Sequence, residues 1–410
     1  MRRTLRRMRR SYGTQRRSDP AYHGGMTESS ALSGPLLVER ARALQPLVRS
    51  FADRAEAERT LPRELARALA QAGLFRVAVS SEAGGAEATP REQILAIEAI
   101  SEADGAAGWA LMIGVENLGF ASANLRPEVA EEVIAKHPDV IFSGALNPLG
   151  RAVRVEGGVR ASGRWPFASG CLHSDWFWGQ CVVEGEGKPQ LIEVLVPRSD
   201  FRVLDTWHVA GLRGSGSHDV EIRDVFVPER FTTAVSSGRI HATGALFRLP
   251  PFSRLAYNKV GVATGIARAA LDAFVELASE KVPRGMRAPL RERRAAQVAI
   301  ADAETLLRSA RAFVFEAVEE VWQETLAGRA PTSKQRALLQ LACSQAVAAS
   351  ARAVEIVHSA AGTSANSLAS PLERRMRDVH VVGQHIVVSP AMVEPASRVL
   401  LGLESGTIFF

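Results

Sequence analysis

Cysteine is nearly absent from this chain. Cys171, Cys181 and Cys343 are the only three in 410 residues, and their spacing suits neither a disulfide framework nor a zinc site, so no metal is expected and a reducing cytoplasm is the expected compartment. Long apolar runs are missing too: none approaches the roughly 18 residues that span a bilayer, so no membrane segment is expected. The chain also lacks a basic face. Residues 1–25 hold eight arginines against the single acid Asp19, which leaves residues 26–410 at −1 although the whole chain carries +6. A nearly neutral body has nothing to follow a phosphate backbone, which excludes nucleic acid as a partner. The arginine-rich start has no apolar segment after it, so it reads as a disordered tail rather than a secretion signal, with Met26 an alternative start. A dinucleotide fingerprint is lacking as well. Gly211-x-x-Gly214-x-Gly216 has the wrong spacing, and Asp219–Val227 after it reads as a strand rather than a helix, which argues against a Rossmann site.

What the chain does have is concentrated in Gly163–Trp178. Three of the six tryptophans, Trp165, Trp176 and Trp178, fall there, around the small-residue turn Ser169-Gly170. Flat apolar walls, a turn that permits close approach and one hydroxyl are what a planar aromatic ligand held against a sheet requires. The same residues would also make an ordinary β-core.

The remaining pattern is helical, then β, then helical. Leu36-Leu37-Val38, Ala41, Leu44 and Leu47-Val48 recur at helical spacing. Leu61-Pro62 opens a second helix with Leu65, Leu69 and Leu74 on one face, and residues 91–112 form another, interrupted at Asp104-Gly105. Short β-branched and aromatic runs follow between Val140 and Val227, with hairpin chemistry at Glu156-Gly157-Gly158. They predict a small antiparallel β domain. Long alanine- and leucine-rich segments at 254–280, 290–326, 333–361 and 371–387 predict a helical bundle, and Pro390 opens a further helix. The expected divisions are a basic tail at 1–30, a helical domain at 31–137, a β domain at 138–240 and a bundle at 241–410.

This order, with Ala83-Gly84-Gly85, Trp165-Pro-Phe-Ala-Ser-Gly170, Gly211–Ser217, Val225-Phe-Val-Pro228 and Arg377-Asp378 as landmarks, resembles the acyl-CoA dehydrogenase superfamily over roughly residues 35–405. The resemblance implies a mostly α fold with a central small antiparallel β-barrel domain and a C-terminal four-helix bundle. Within the superfamily the chain is similar to the two-component flavin-dependent monooxygenases, such as the 4-hydroxyphenylacetate and secosteroid hydroxylase oxygenase components. Many dehydrogenases carry their catalytic glutamate eight residues after the landmark aspartate, where this chain has Ile386. The monooxygenases carry a histidine near this point, and His385 matches it.

The resemblance implies an oxygenase component that uses reduced flavin (FMN or FAD) and O2, through a C4a-hydroperoxyflavin, to hydroxylate an aromatic or polycyclic small molecule. It also implies a separate NAD(P)H:flavin reductase and a homotetramer, which would bury the apolar end Gly406–Phe410. His385 is then the expected acid/base, since a group titrating near neutrality suits its proton tasks. Read as helical, it falls two turns after Asp378 on nearly the same face. Ser169 is the expected hydrogen-bond partner of flavin N5 or of the peroxide. Trp165 and Phe167 are expected to wall the isoalloxazine, Gly170 to bring its backbone N–H close to the flavin, and Arg294 and Gln297 to meet the flavin phosphate. Trp109, Asn117, Arg213, Ser217 and His380 are expected on the substrate side, and His173 belongs to the same motif as Ser169. Asn117 stands near where some hydroxylases carry a substrate-contacting histidine. The rival readings are an acyl-CoA dehydrogenase with Glu355 or Glu373 as base, and an N- or S-oxygenase on the same scaffold.

Overall fold

The structure is a computed structural model that describes residues 32–185, 189–235 and 240–407. The basic tail and residues 408–410 of the apolar end lie outside the described residues. The first helices are α1 (Gly34–Ala43), α2 (Gln45–Glu58), α3 (Arg63–Gln71), α4 (Pro90–Ala103), α5 (Gly105–Asn124) and the short α6 (Pro127–Ala130). The start of α4 is fixed by a reciprocal cap. Thr89 Oγ1 accepts from Glu92 N at 3.3 Å while Glu92 Oε2 accepts from Thr89 N at 2.8 Å, and Pro90 supplies a preset φ. The cap of α5 is Asp104, which accepts from Ala107 N at 2.8 Å. Almost every residue of α5 is buried, as a helix that is apolar all round must be.

The middle of the chain forms one seven-stranded sheet with the order β5-β6-β2-β1-β3-β4-β7. The strands are β1 (Phe142–Val155), β2 (Gly158–Trp165), β3 (Trp176–Val183), β4 (Gln190–Pro197), β5 (Arg202–Leu204), β6 (Asp219–Pro228) and β7 (Thr232–Thr233). The expected hairpin is present, with Gly157 at φ 78° between β1 and β2. The expected all-antiparallel barrel is not. The sheet is mixed, because β3 runs parallel to β1, from Phe142 opposite Trp176 to Ala152 opposite Val183. After β2 the chain must cross the end of β1 to reach its other side, and residues 166–175 make that crossing. Since Trp165 of β2 lies opposite Val220 of β6, the loop that precedes β6 reaches the same end of the sheet. Topology therefore brings the 166–175 and 205–218 loops together.

The bundle is built from α7 (Pro251–Glu280), α8 (Arg294–Leu326), α9 (Ser333–Ala361) and α10 (Pro371–Val382), with α11 (Val393–Leu400) packed on α9. The helix α7 also packs on α4 and α5, joining the bundle to the first helices. By length and composition α9 could cross a membrane, but 67% of its most apolar stretch is buried within the protein. The late helix expected at 371–387 stops at Val382. Between α5 and α7 lies a buried ion pair that the sequence did not announce. Lys259 Nζ donates to both Glu116 oxygens at 2.7 and 2.5 Å, and both side chains are almost wholly out of solvent.

An unpaired charge at such depth is costly, whereas removing both charges is much less so. Glu116→Ala should lower stability by about 3–5 kcal/mol, and Glu116→Leu combined with Lys259→Met should regain most of that loss. Thermal melting compares the two. An equal loss in both would show that the charges are not what the packing depends on.

Candidate active site

The crossing segment is held at both ends. Asp175 receives two guanidinium N–H groups from Arg67, at 2.5 and 3.1 Å, and the Ile141 N–H at 2.9 Å. Ser174 Oγ lies 2.8 Å from Ser143 Oγ of β1. Within the turn every main-chain donor from 168 to 170 is spoken for: Ala168 N by His218 O, Ser169 N by Phe167 O and Gly170 N by Ser215 O, at 2.9–3.0 Å. Gly170, at φ 77°, therefore does not offer its N–H to a ligand as expected; it locks this turn to the facing loop. What remains for chemistry is the Ser169 hydroxyl. Trp109 Nε1 donates to Ser169 Oγ at 3.0 Å, Ser169 Oγ and Ser217 Oγ are 2.7 Å apart, and Ser217 Oγ and Ser215 Oγ are again 2.7 Å apart. A hydroxyl has one proton and two lone pairs. With Trp109 and Ser217 served, Ser169 keeps one position for a further partner.

Trp109 also ties in His385. Their ring centroids are 5.7 Å apart at an interplanar angle of 61°. His385 does not ride on α10 with Asp378. It caps a short turn, Ile386–Val388, past the helix end, and Gln340 of α9 anchors that turn by donating to Val387 O at 2.8 Å. The Val387 N–H points at His385 Nδ1, 3.4 Å away, so the neutral ring carries its proton on Nε2. Burial, and next the positive charge of Lys259, hold the imidazole well below its ordinary pKa. His385 is thus neutral through the physiological range, not poised near neutrality as its residue type alone suggested. The structure accordingly gathers Trp109, Ser169, Ser217 and His385 into one cluster.

Phe167 and Trp165 part company. Phe167 is held at φ 62° with its ring 66% exposed and edge-on to Trp207 at 6.2 Å. Trp165 is wholly buried, donates to Gln180 O at 2.8 Å and packs on Phe177, over glycines 150, 163 and 179, where a Cβ would crowd its ring. It is sheet core and has no surface for a ligand. Asn117 is packed against β1: its Nδ2 donates to Ile113 O at 2.9 Å, and Gly144 leaves room for its oxygen. Arg213 is engaged by Val209 O and by Glu56. His380 lies on an exposed face beside Glu355, at 3.5 Å. Arg294 and Gln297 are exposed at the start of α8, and Gln297 donates back to Arg291 O. None of these five is tied into the cluster. His173 lies under Gly170 with neither ring nitrogen hydrogen-bonded, and burial pushes its pKa down to about 4. It borders a cleft of about 640 Å³, together with Arg54, Thr60, Arg63 and Leu172. Neither Ser169 nor His385 lines that cleft.

Further residues organise the cluster: His218, which was not picked out from sequence, and the Arg377-Asp378 pair, which served there only as a landmark. His218 Nδ1 accepts from Thr206 N and Trp207 N, both at 3.2 Å, and so shapes the 205–218 loop. Asp378 accepts from Leu212 N at 2.6 Å, while Arg377 bonds Ala210 O, Glu56 and Glu373. The familiar Arg-Asp pair is thus the clasp between α10 and the loop that carries Ser215 and Ser217. The candidate dehydrogenase bases are occupied elsewhere: Glu373 pairs with Arg377, and Glu355 with Arg352 and His380. At residue 386 the side chain is an isoleucine.

Asp378 gives this clasp a pH signature. Burial first, then the neighbouring Asp104, raise its carboxyl from 3.8 to about 7, against the opposing effect of the Leu212 N–H. A carboxyl with a raised folded-state pKa holds a proton that the unfolded chain has lost, so its contribution to stability declines as pH rises through that interval. Asp378→Asn keeps an oxygen for Leu212 and removes the titration. Its melting temperature relative to the parent should rise steadily from pH 4 to pH 7. A constant difference would mean that Asp378 does not titrate there.

Comparisons with known proteins identify the family. Family models for the acyl-CoA dehydrogenase N-terminal and C-terminal domains match residues 38–131 and 258–390. The indole-3-acetate monooxygenase of Pseudomonas putida is 33% identical over 380 residues, covering 91% of this chain and 95% of that protein. The oxygenase component of the FADH2-dependent resorcinol hydroxylase of a Rhizobium species is 31% identical and covers 90% and 94%. Among solved structures, XiaF from Streptomyces in complex with FADH2 and glycerol superposes with a TM-score of 0.84 at 25% identity, covering 91% of this chain and 97% of that one.

Proposed function

The chain belongs to the acyl-CoA dehydrogenase superfamily, among the oxygenase components of flavin-dependent monooxygenases, and on that footing we propose that Ser169 and His385 work at the reacting edge of a reduced flavin and deliver oxygen to an aromatic or polycyclic small molecule. One observation carries this reading. A single indole, Trp109, touches both a serine hydroxyl with a free position and a neutral imidazole whose Nε2 bears the proton. The residues fit such a cofactor: an exposed aromatic face at Phe167 stands two residues from the main-chain-locked Ser169. When bound, reduced flavin supplies the two electrons that activate O2.

The chain's own part is positioning and hydrogen-bond donation. Ser169 holds a hydrogen bond toward the flavin edge, with its orientation set by Trp109 and Ser217. His385 would donate a hydrogen bond from Nε2 toward the reacting oxygen at the flavin edge while keeping its proton, and its neutrality spares that atom a permanent positive charge. Burial of Ser169, Trp109 and Ser217 keeps the surroundings dry, so that oxygen transfer outruns release of H2O2. A separate NAD(P)H:flavin reductase supplies the reduced flavin, a role supported by relatives named as oxygenase components. FMN and FAD both suit this assignment. The assembly is a homotetramer, a reading that rests on the family resemblance. Buried free thiols at all three cysteines are compatible with a cytoplasmic setting.

His385→Ala should leave flavin affinity nearly unchanged while product per O2 consumed falls by a factor of about 100, the usual size of a lost hydrogen-bond donor at a reacting oxygen, with H2O2 taking its place. Unchanged coupling would sink the assignment. In the parent enzyme, coupling should stay flat from about pH 6 to pH 8, because the His385 pKa lies well below that of a free histidine. A transition centred near 6.5 would contradict the neutral-donor role.

A further inference from the structure

Lys259, whose charge acts on His385, follows Asn258 on α7. Asn258 is 2% exposed. Its side-chain amide stands beside Glu116, the carboxylate clamped by Lys259. Glu116 lies seven residues after Trp109 on α5, two turns along and on the same face. A polar row therefore runs from Ser169 through Trp109 and His385 to Lys259, Glu116 and Asn258. Every hydrogen-bonding atom in this row that is buried has a partner except Asn258 Oδ1, which has none. A buried acceptor left without a donor is disfavoured unless something else supplies one.

Resting on the monooxygenase reading above, we propose that Asn258 Oδ1 is the substrate-recognition acceptor of this site and that it takes a hydrogen bond from the ring N–H of an indole-type aromatic. The polarity of the row argues for N–H over a phenolic O–H. A phenol becomes a strong carbon nucleophile by losing its proton to a base. The amide oxygen cannot take that proton, Glu116 is held by Lys259, and Asn117 is folded back onto Ile113 O. His385 is neutral, but its Nδ1 faces the Val387 N–H. An indole is nucleophilic at carbon while it still bears its N–H, and an acceptor on that N–H pushes electron density toward the reacting carbon. Asn258 therefore asks for a donor that need not ionise.

The test compares indole with 1-methylindole, which differs only in lacking the donor. Calorimetry is run anaerobically with reduced flavin present, on the parent chain and on Asn258→Leu and Asn258→Ala. The parent should bind indole about tenfold more tightly than 1-methylindole, the usual size of one buried hydrogen bond. Both variants should bind the two compounds equally, with 1-methylindole affinity close to that of the parent. Phenol and anisole, run alongside, should show no such dependence on Asn258. No preference in the parent, an indole preference that survives in both variants, or an Asn258-dependent preference for phenol over anisole would each overturn the proposal. The variants are also mixed with O2 in the absence of any aromatic compound. Retention of the parent's flavin transient shows that they are folded and flavin-competent. Its absence from the parent itself would count against the monooxygenase reading instead, so the two failures are separable.

Discussion

The site depends on one topological constraint, the parallel pairing of β1 with β3. A strand that returns parallel to its neighbour cannot be joined by a tight hairpin. Here the chain leaves β2, crosses the end of β1 and enters β3, and the crossing is the Pro166–Asp175 segment. Main-chain bonds from Ala168 and Gly170 to the 215–218 loop, with Arg67 on Asp175, fix where it lies. Ser169 is thereby set down between a sheet end and α5, within reach of Trp109. Had β3 followed in an antiparallel hairpin, the same residues would form a short turn at the sheet rim.

Electrostatics then act on a scaffold already in place. The cluster holds hydroxyls, an indole and an imidazole, and it holds no free carboxylate. Glu116 is paired with Lys259, and that cation adds to the burial that chiefly keeps His385 uncharged. The imidazole is therefore a hydrogen-bond donor rather than a stored proton. A site built to remove a proton next to a thioester would need the opposite, a carboxylate left free to accept. Ile386 and the engagement of Glu355 and Glu373 leave none in reach.

Much of this was legible in the sequence. Helical periodicity, the Glu156-Gly157-Gly158 hairpin and the cluster of tryptophans gave the order of elements, and motif spacing pointed to Ser169, Trp109, Ser217 and His385. What stayed hidden depends on partners far apart in the chain. The parallel register of β1 and β3 is not visible in strands that look alike in either direction. Gly170 reads as a ligand-facing turn until Ser215 is seen to use its N–H. Trp165 looks like its neighbour Phe167, but the sheet pleat turns it inward over glycines 150, 163 and 179. The end of α10 at Val382 is marked by Gly383, its C-cap, a stop signal that the reading of the helix through His385 passed over. Lys259 and Glu116 are 143 positions apart, and neither belongs to a motif.

The central claim is that this chain uses reduced flavin to handle oxygen. Rapid mixing tests it most directly: the protein is loaded anaerobically with reduced flavin, mixed with oxygenated buffer and followed by absorbance. The account predicts a transient spectrum, distinct from both reduced and oxidised flavin, that persists for seconds before oxidised flavin appears and that shortens when Ser169 is replaced by alanine. Direct appearance of oxidised flavin, together with bleaching of bound oxidised flavin by an acyl-CoA, would contradict it and make the chain a dehydrogenase.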